Sequence, residues 1–137
     1  MSIRGLDHVA MPTRQPEALI GFYGQLGFRV PTIEEWSRSK LPFFSMSFGD
    51  QKINVHAPAL WERDDFTLRG PTAQPGCADL CFVWDSSVDA LHARLRDAGA
   101  AIIAGPVELE GARGTGVSTY VRDPDGNLLE FIVYASP

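Results

Sequence analysis

The sequence predicts an α+β fold: two βαβββ modules forming a curved mixed sheet around a metal-binding cleft, with the helices outside. Three observations predict it. The order strand, helix, strand, strand, strand occurs twice in 137 residues, a length that suits one domain. Each repeat has an apolar sheet face that pairing with the other would bury. Histidines and carboxylates stand at matching places in the two repeats: His8 and Asp79 in the first strands, His56 and Glu130 in the fourth. The expected layout is a single domain over 1–137, with module one at 1–56, a linker at 57–76 and module two at 77–137.

Taken in order, Ile3 to Met11 alternates as a strand. Thr13-Arg14-Gln15-Pro16 starts a helix, with Pro tolerated in its first turn. Leu19, Phe22, Tyr23 and Leu26 lie on one helical face, and Gly27 ends the helix as a left-handed cap. Phe28 to Ile33, Phe43 to Phe48 and Gln51 to His56 read as three strands, the last two joined by a Gly49-Asp50 turn. The segment from Ala57 to Gly76 lacks periodicity and holds Pro58, Pro71 and Pro75, which suits a functional loop or a linker.

The second repeat opens with a strand from Asp79 to Trp84. Ser86 or Ser87 caps a helix whose face is Val88, Leu91, Leu95 and Ala98, and Gly99 ends it. Ile102 to Leu109, Gly116 to Arg122 and Leu128 to Tyr134 complete the module. The turn before the last strand is Asp123-Pro124-Asp125-Gly126-Asn127, where Pro presets one backbone angle and Gly126 or Asn127 takes positive φ.

Composition narrows the partners. Lys and Arg number 12 against 17 Asp and Glu, a net charge of −5, which disfavours nucleic acid and anionic membranes. No apolar run is long enough to span a bilayer, and Asp7 and His8 interrupt the N-terminal apolar run that a signal peptide would need. Cys77 and Cys81 sit four apart on one strand, about 13 Å between Cα atoms, too far for a disulfide. The cytoplasm is the expected compartment. Exposed sheet edges predict a homodimer.

Glu130 is the residue that demands an explanation. Its strand neighbours at period two are Leu128 and Ile132, and a carboxylate among apolar side chains needs a metal or a cation such as Arg122. If the modules pair about a pseudo-twofold axis, His8, His56, Asp79 and Glu130 converge. Two imidazoles and one or two carboxylates suit one divalent first-row ion, with positions open for water or substrate. Asp79 can instead cap a turn or orient an imidazole.

These motifs resemble the vicinal oxygen chelate superfamily, which includes glyoxalase I, methylmalonyl-CoA epimerase, extradiol dioxygenases and the bleomycin and fosfomycin resistance proteins. The resemblance covers nearly the whole chain and rests on Leu6-Asp7-His8-Val9-Ala10, Lys52-Ile53-Asn54-Val55-His56, Ala78-Asp79-Leu80-Cys81-Phe82 and Arg122 to Glu130. It implies that His8, His56 and Glu130 are metal ligands. Asp79 departs from the His common in metal-binding relatives, which leaves the ion open among Ni, Zn, Fe, Mn and Co.

Ser118, Tyr120 and Arg122 share one face of the seventh strand and are the candidate substrate-binding residues. Fosfomycin-type relatives line their site with a Ser and a Tyr at that spacing, while ordinary packing explains them equally. Those relatives also carry basic residues after the final Glu, absent here, so a phosphonate is disfavoured. The glycine-rich stretch from Glu110 to Gly116 suits a hairpin loop or a lid. Trp36, Trp61 and Phe66 can wall an apolar pocket; His92 reads as a boundary residue and Cys81 as a buried thiol.

The implied function is a metal-dependent lyase or isomerase of the glyoxalase type. The ion would chelate two oxygens of a small substrate and stabilise an enediolate-like intermediate, while Glu130 or Asp79 moves the proton. The alternatives are an extradiol-type dioxygenase and a non-catalytic drug-binding resistance protein.

Overall fold

The computed structural model describes residues 2–135. The chain divides into two compact units, the first ending at Pro75 and the second beginning at Gly76. Each is an α+β unit with its own sheet.

The first unit runs β1 (His8–Pro12), α1 (Pro16–Leu26), α2 (Ile33–Ser39), β2 (Phe43–Phe48), β3 (Gln51–His56) and α3 (Pro58–Trp61). Its sheet has the order β1-β3-β2, with β1 parallel and β2 antiparallel to β3. Alternation sorts the side chains. Met11, Ile53, Val55, Phe44 and Met46 are buried on one face, together with Leu19, Ile20, Tyr23 and Leu26 of α1. The opposite face carries the polar positions. Gly27 closes α1 in the left-handed region at φ 103°, as its sequence position requires.

Two expectations are corrected in this unit. Residues 28–33 do not form a strand; Arg29 makes a single bridge to Ser47 and the chain then turns into α2. Pro31 cannot donate to a ladder, and Thr32 caps α2 by accepting from the Glu35 N–H while Glu35 accepts from the Thr32 N–H. The first strand begins only at His8, with Ile3 and Leu6 exposed.

Segment 57–75 is anchored to the first unit. The Trp61 indole N–H donates to the Thr13 carbonyl at 2.9 Å. Arg69 donates to the carbonyls of Trp61 and Ala73 and lies over the Trp61 ring. Phe66 meets the His56 ring edge to face, with centroids 5.2 Å apart.

The second unit is a complete βαβββ module: β4 (Asp79–Val83), α4 (Val88–Asp97), β5 (Ala104–Gly111), β6 (Gly114–Arg122) and β7 (Leu128–Tyr134), in sheet order β4-β7-β6-β5. Adding the Arg29 bridge outside β2 gives the first unit the same strand order, so the two units repeat one topology. The Ser87 hydroxyl accepts from the Ala90 N–H and caps α4. Leu91 and Leu95 are buried, and His92 meets the buried Thr119 hydroxyl at 3.0 Å, which makes it a packing residue between α4 and β6. β5 starts at Ala104, not at Ile102, and Gly105 and Pro106 interrupt its ladder just after that start, where the register shifts.

The glycine-rich stretch after Glu110 is a tight hairpin joining β5 to β6. A side chain at Gly111 would collide with the Tyr134 hydroxyl, and one at Gly116 with Ile132, so close packing explains both glycines.

Candidate functional site

The turn from Asp123 to Asn127 holds β7 in place. One Asp123 carboxylate oxygen accepts from the N–H groups of Asp125 and Asn127, at 2.9 and 3.0 Å. The other accepts from the Asn127 amide at 2.8 Å. Asn127, 1% exposed, accepts in turn from the Ala78 N–H at 2.9 Å, clamping the start of β4 onto β7 beside Asp79. Gly126 sits at φ 91°, which accounts for glycine at that point of the turn.

This clamp sets the register. Cys81, Glu130 and Tyr120 stand directly opposite one another across β4, β7 and β6, and Asp79, Leu128 and Arg122 form the next row. Paired residues project from the same face of a sheet. Glu130 lies at the middle of a cluster there. The fully buried Ser118 hydroxyl donates to Glu130 Oε2 at 2.6 Å. The Tyr120 hydroxyl and the Cys81 thiol are further donors on the strands to either side, each directly opposite Glu130 in the ladder.

Both of those donors are held in their protonated forms. Desolvation, then the charge and hydrogen bond of Glu130, pushes the Cys81 thiol up to about 12. Desolvation leads again at Tyr120, followed by Glu130, and raises its pKa above the ordinary tyrosine value. A carboxylate among three protonated donors is stabilised as an anion without a cation. Arg122 does not pair with it; its guanidinium donates to the Gly126 carbonyl at 3.0 Å. Asp79 makes no hydrogen bond or ion pair among the described residues, so its oxygens remain available.

On the first unit, the His8 ring meets the Asp7 carboxylate through Nδ1 at 2.7 Å. A carboxylate on one ring nitrogen fixes the tautomer and leaves Nε2 as the ligating atom. His56 is placed differently. In the parallel ladder His8 pairs with Lys52 and His56 with Pro12. The two histidines are therefore four register positions apart, about 14 Å between Cα atoms. Side chains stand roughly perpendicular to a sheet, so both imidazoles cannot ligate one ion. The expected pairing of His8 with His56 on one metal is corrected on this ground. Burial, and then the nearby positive charge of Arg69, hold the His56 pKa below its ordinary value. Within either unit, no group of three or more His, Cys, Asp or Glu among the described residues is placed to hold an ion.

Taken separately, the His8 Nε2 of the first unit and the Asp79 oxygens of the second are donor types that first-row divalent ions accept. Trp61 and Phe66 line an open cleft of about 550 Å³ in segment 57–75, but charged Glu62, Arg63, Asp64 and Arg69 share its walls, so it is not an apolar pocket. Trp36 is elsewhere, packed on Phe44 with its N–H on the Phe43 carbonyl.

Cys81, expected as a buried thiol although its parity with Asp79 put it on the site face, is exposed and stands opposite Glu130; the sequence alone missed the polar set Ser45, Lys52 and Asn54 on the first unit. No described helix is long and apolar enough to cross a membrane.

Comparison with known proteins agrees with this architecture. The chain is 35% identical over 134 residues to the glyoxalase domain-containing protein RDO1 of Mycosarcoma maydis, spanning 98% of this chain and 70% of that protein. It is 35% identical to virulence protein STM3117 of Salmonella typhimurium, over 98% of this chain and 87% of that protein. The crystal structure of STM3117 superposes with a TM-score of 0.83 at 36% identity, covering 98% of this chain and 100% of that one. A lactoylglutathione lyase from Agrobacterium tumefaciens shares the fold at 21% identity, with a TM-score of 0.69 and coverage of 97% and 96%. The model of one family matches residues 5–131, and on that match the chain belongs to the Glyoxalase/Bleomycin resistance protein/Dioxygenase superfamily.

Proposed function

We propose that this chain is a divalent-metal-dependent enzyme of the glyoxalase type, a lyase or isomerase, acting on a small substrate that presents two oxygens. The observation that carries the reading is the Ser118 hydroxyl bound to Glu130 Oε2, with Tyr120 and Cys81 directly opposite that carboxylate in the ladder. Ser118 orients that carboxylate and leaves part of it accessible, an arrangement suited to moving a proton.

The roles divide by hydrogen bonding. Glu130 is held through Oε2 by Ser118 and is the proton carrier. Asp79 has no oxygen engaged and is a carboxylate ligand; His8 is a candidate nitrogen ligand through Nε2. The ion, when bound, supplies Lewis-acid polarisation of a substrate oxygen. Ser118 holds Glu130 Oε2 in one orientation. Tyr120 stays protonated at neutral pH and offers its hydroxyl to Glu130 or to a substrate oxygen. Arg122 borders the site through its turn contact. We place His56 outside the ligand set.

The same chain is proposed to work as a homodimer. Ile102, Ile103, Val107 and Leu109 are exposed along β5 and the segment before it, a surface that a second copy would cover.

Metal analysis of protein purified without added metal tests the assignment. The wild type should retain about one divalent ion per chain. Asp79→Asn and His8→Ala should lower that content, whereas Glu130→Gln should keep the ion and lose turnover. Unchanged metal content in Asp79→Asn and His8→Ala would remove both from the ligand set.

A further inference from the structure

We propose that the polar face of the first unit holds a carboxylate-binding subsite built from Lys52, Ser45 and Asn54. The inference rests on the proposed function only for the step from ligand to substrate: the substrate would then be a small carboxylic acid. The binding site itself stands on the geometry of this unit.

Register lays the face out in rows. Ser47, Lys52 and His8 are paired across β2, β3 and β1, and Arg29 extends that row through its bridge to Ser47. The next row is Ser45, Asn54 and Ala10; the third is Phe43, His56 and Pro12. None of these positions carries a carboxylate. The nearest acids in sequence are accounted for or peripheral: Asp7 is bound to His8, and Asp50 lies in the β2–β3 turn.

Lys52 is half-buried on the central strand of this surface, in the row nearest the β2–β3 turn, and forms no ion pair among the described residues. Its ammonium approaches only the Ser45 hydroxyl, at 3.5 Å, the limit of a hydrogen bond. Ser45 donates its own proton to Asn54 Oδ1 at 3.0 Å. That bond fixes the amide so that the two Nδ2 donors of Asn54 remain unused. A partly desolvated ammonium with amide donors two residues along the same strand face can bind the two oxygens of one carboxylate. Arg29 in the same edge row adds positive potential, although its guanidinium is engaged by the Gly49 carbonyl at 2.9 Å.

This charge is opposite to that of the second unit's site face, where Asp79 and Glu130 reside. Against a net charge of −5, the two cations Arg29 and Lys52 in one row are a departure from the chain's average, not a sample of it.

Backbone amide NMR titration with pyruvate tests the subsite, with propionamide as the uncharged probe and inorganic phosphate as the alternative anion. Pyruvate should shift the amides of residues 45, 52 and 54 in a saturable way, and propionamide should not. Lys52→Met should weaken binding about tenfold or more, since a charged hydrogen-bond partner is lost. Lys52→Arg should restore much of it, and Asn54→Ala should weaken binding with Lys52 intact. Equal pyruvate binding by Lys52→Met and wild type, or equal binding of propionamide, would overturn the proposal. Phosphate binding in preference to pyruvate would overturn the carboxylate assignment. Should Lys52→Met fail to fold, Lys52→Gln and Asn54→Ala decide by the same criterion. Loss of metal binding in the Asp79 and His8 variants reports on the proposed function separately, because neither residue belongs to this subsite.

Discussion

The Ser118 hydroxyl reaches Glu130 Oε2 at 2.6 Å, although the two residues lie on different strands and are not direct partners in the ladder. Ser118 pairs with Ile132, one step along the same face, so the bond is diagonal and ties β6 to β7 beneath the carboxylate. Ser118→Ala should leave the fold intact and cost about 1–3 kcal/mol of transition-state stabilisation, as expected for a hydrogen bond to a charged group. Turnover at saturating substrate measures it; an unchanged kcat would mean that Glu130 does not need Ser118 to be oriented.

Tyr120→Phe removes only a hydroxyl, so packing should survive while turnover or ligand affinity falls. Because burial and then Glu130 raise the tyrosine pKa, the hydroxyl stays protonated across the physiological range. A melting temperature close to wild type with reduced activity is the expected pair of results. Normal kinetics would return Tyr120 to a packing role.

Cys81 should be an unreactive thiol. Its value is pushed from 9.0 to about 12, so the stability it contributes is present below pH 9 and is lost as pH rises through about 12. In a Cys77→Ser background, iodoacetamide at pH 8 should label Cys81 about two orders of magnitude more slowly than a free thiol. Rapid labelling would show that the Glu130 contact is not maintained in solution.

His56 gives an acid-side effect of the opposite sign. Its pKa is lowered from 6.5 by burial first and by Arg69 second. The unfolded chain therefore takes up the proton first as pH falls, so the stabilising contribution is present above about 6.5 and is lost below it. His56→Phe keeps a ring against Phe66 and should flatten the fall in melting temperature between pH 7 and pH 5. An unaltered pH profile would assign that fall to another group.

Asn127→Ala should be the most destabilising of these changes, about 2–4 kcal/mol, because it removes the amide donor to Asp123 Oδ2 and the acceptor of the Ala78 N–H together. Urea denaturation measures it, with metal content falling in parallel if Asp79 is a ligand.

Much of this was legible in the sequence. Gly27, Ser87, the Gly49-Asp50 turn and the Asp123 to Asn127 turn act locally, through backbone angles and hydrogen bonds to near neighbours, so their residues marked their positions. The helix α2 was legible too, in the Thr32–Glu35 capping box, but the apolar residues before it suggested a strand. Pro31 decided otherwise. The alternation of β7 drew attention to Glu130 and pointed to a metal or a cation beside it; the neighbour found on Oε2 is the Ser118 hydroxyl.

Which partners it has, only the tertiary structure decided. Strand parity says which residues share a face; it does not say which stand side by side, because register between strands far apart in sequence depends on how the turns and clamps align them. Asn127 bonded to Ala78 sets that alignment in the second unit and brings Cys81, Tyr120 and Ser118 to Glu130. In the first unit the parallel register places His8 opposite Lys52 and sends His56 four positions away, beneath Phe66. The sequence by itself determined the repeated topology and the carboxylate at its centre; a ladder register that no local residue encodes decided which side chains meet it.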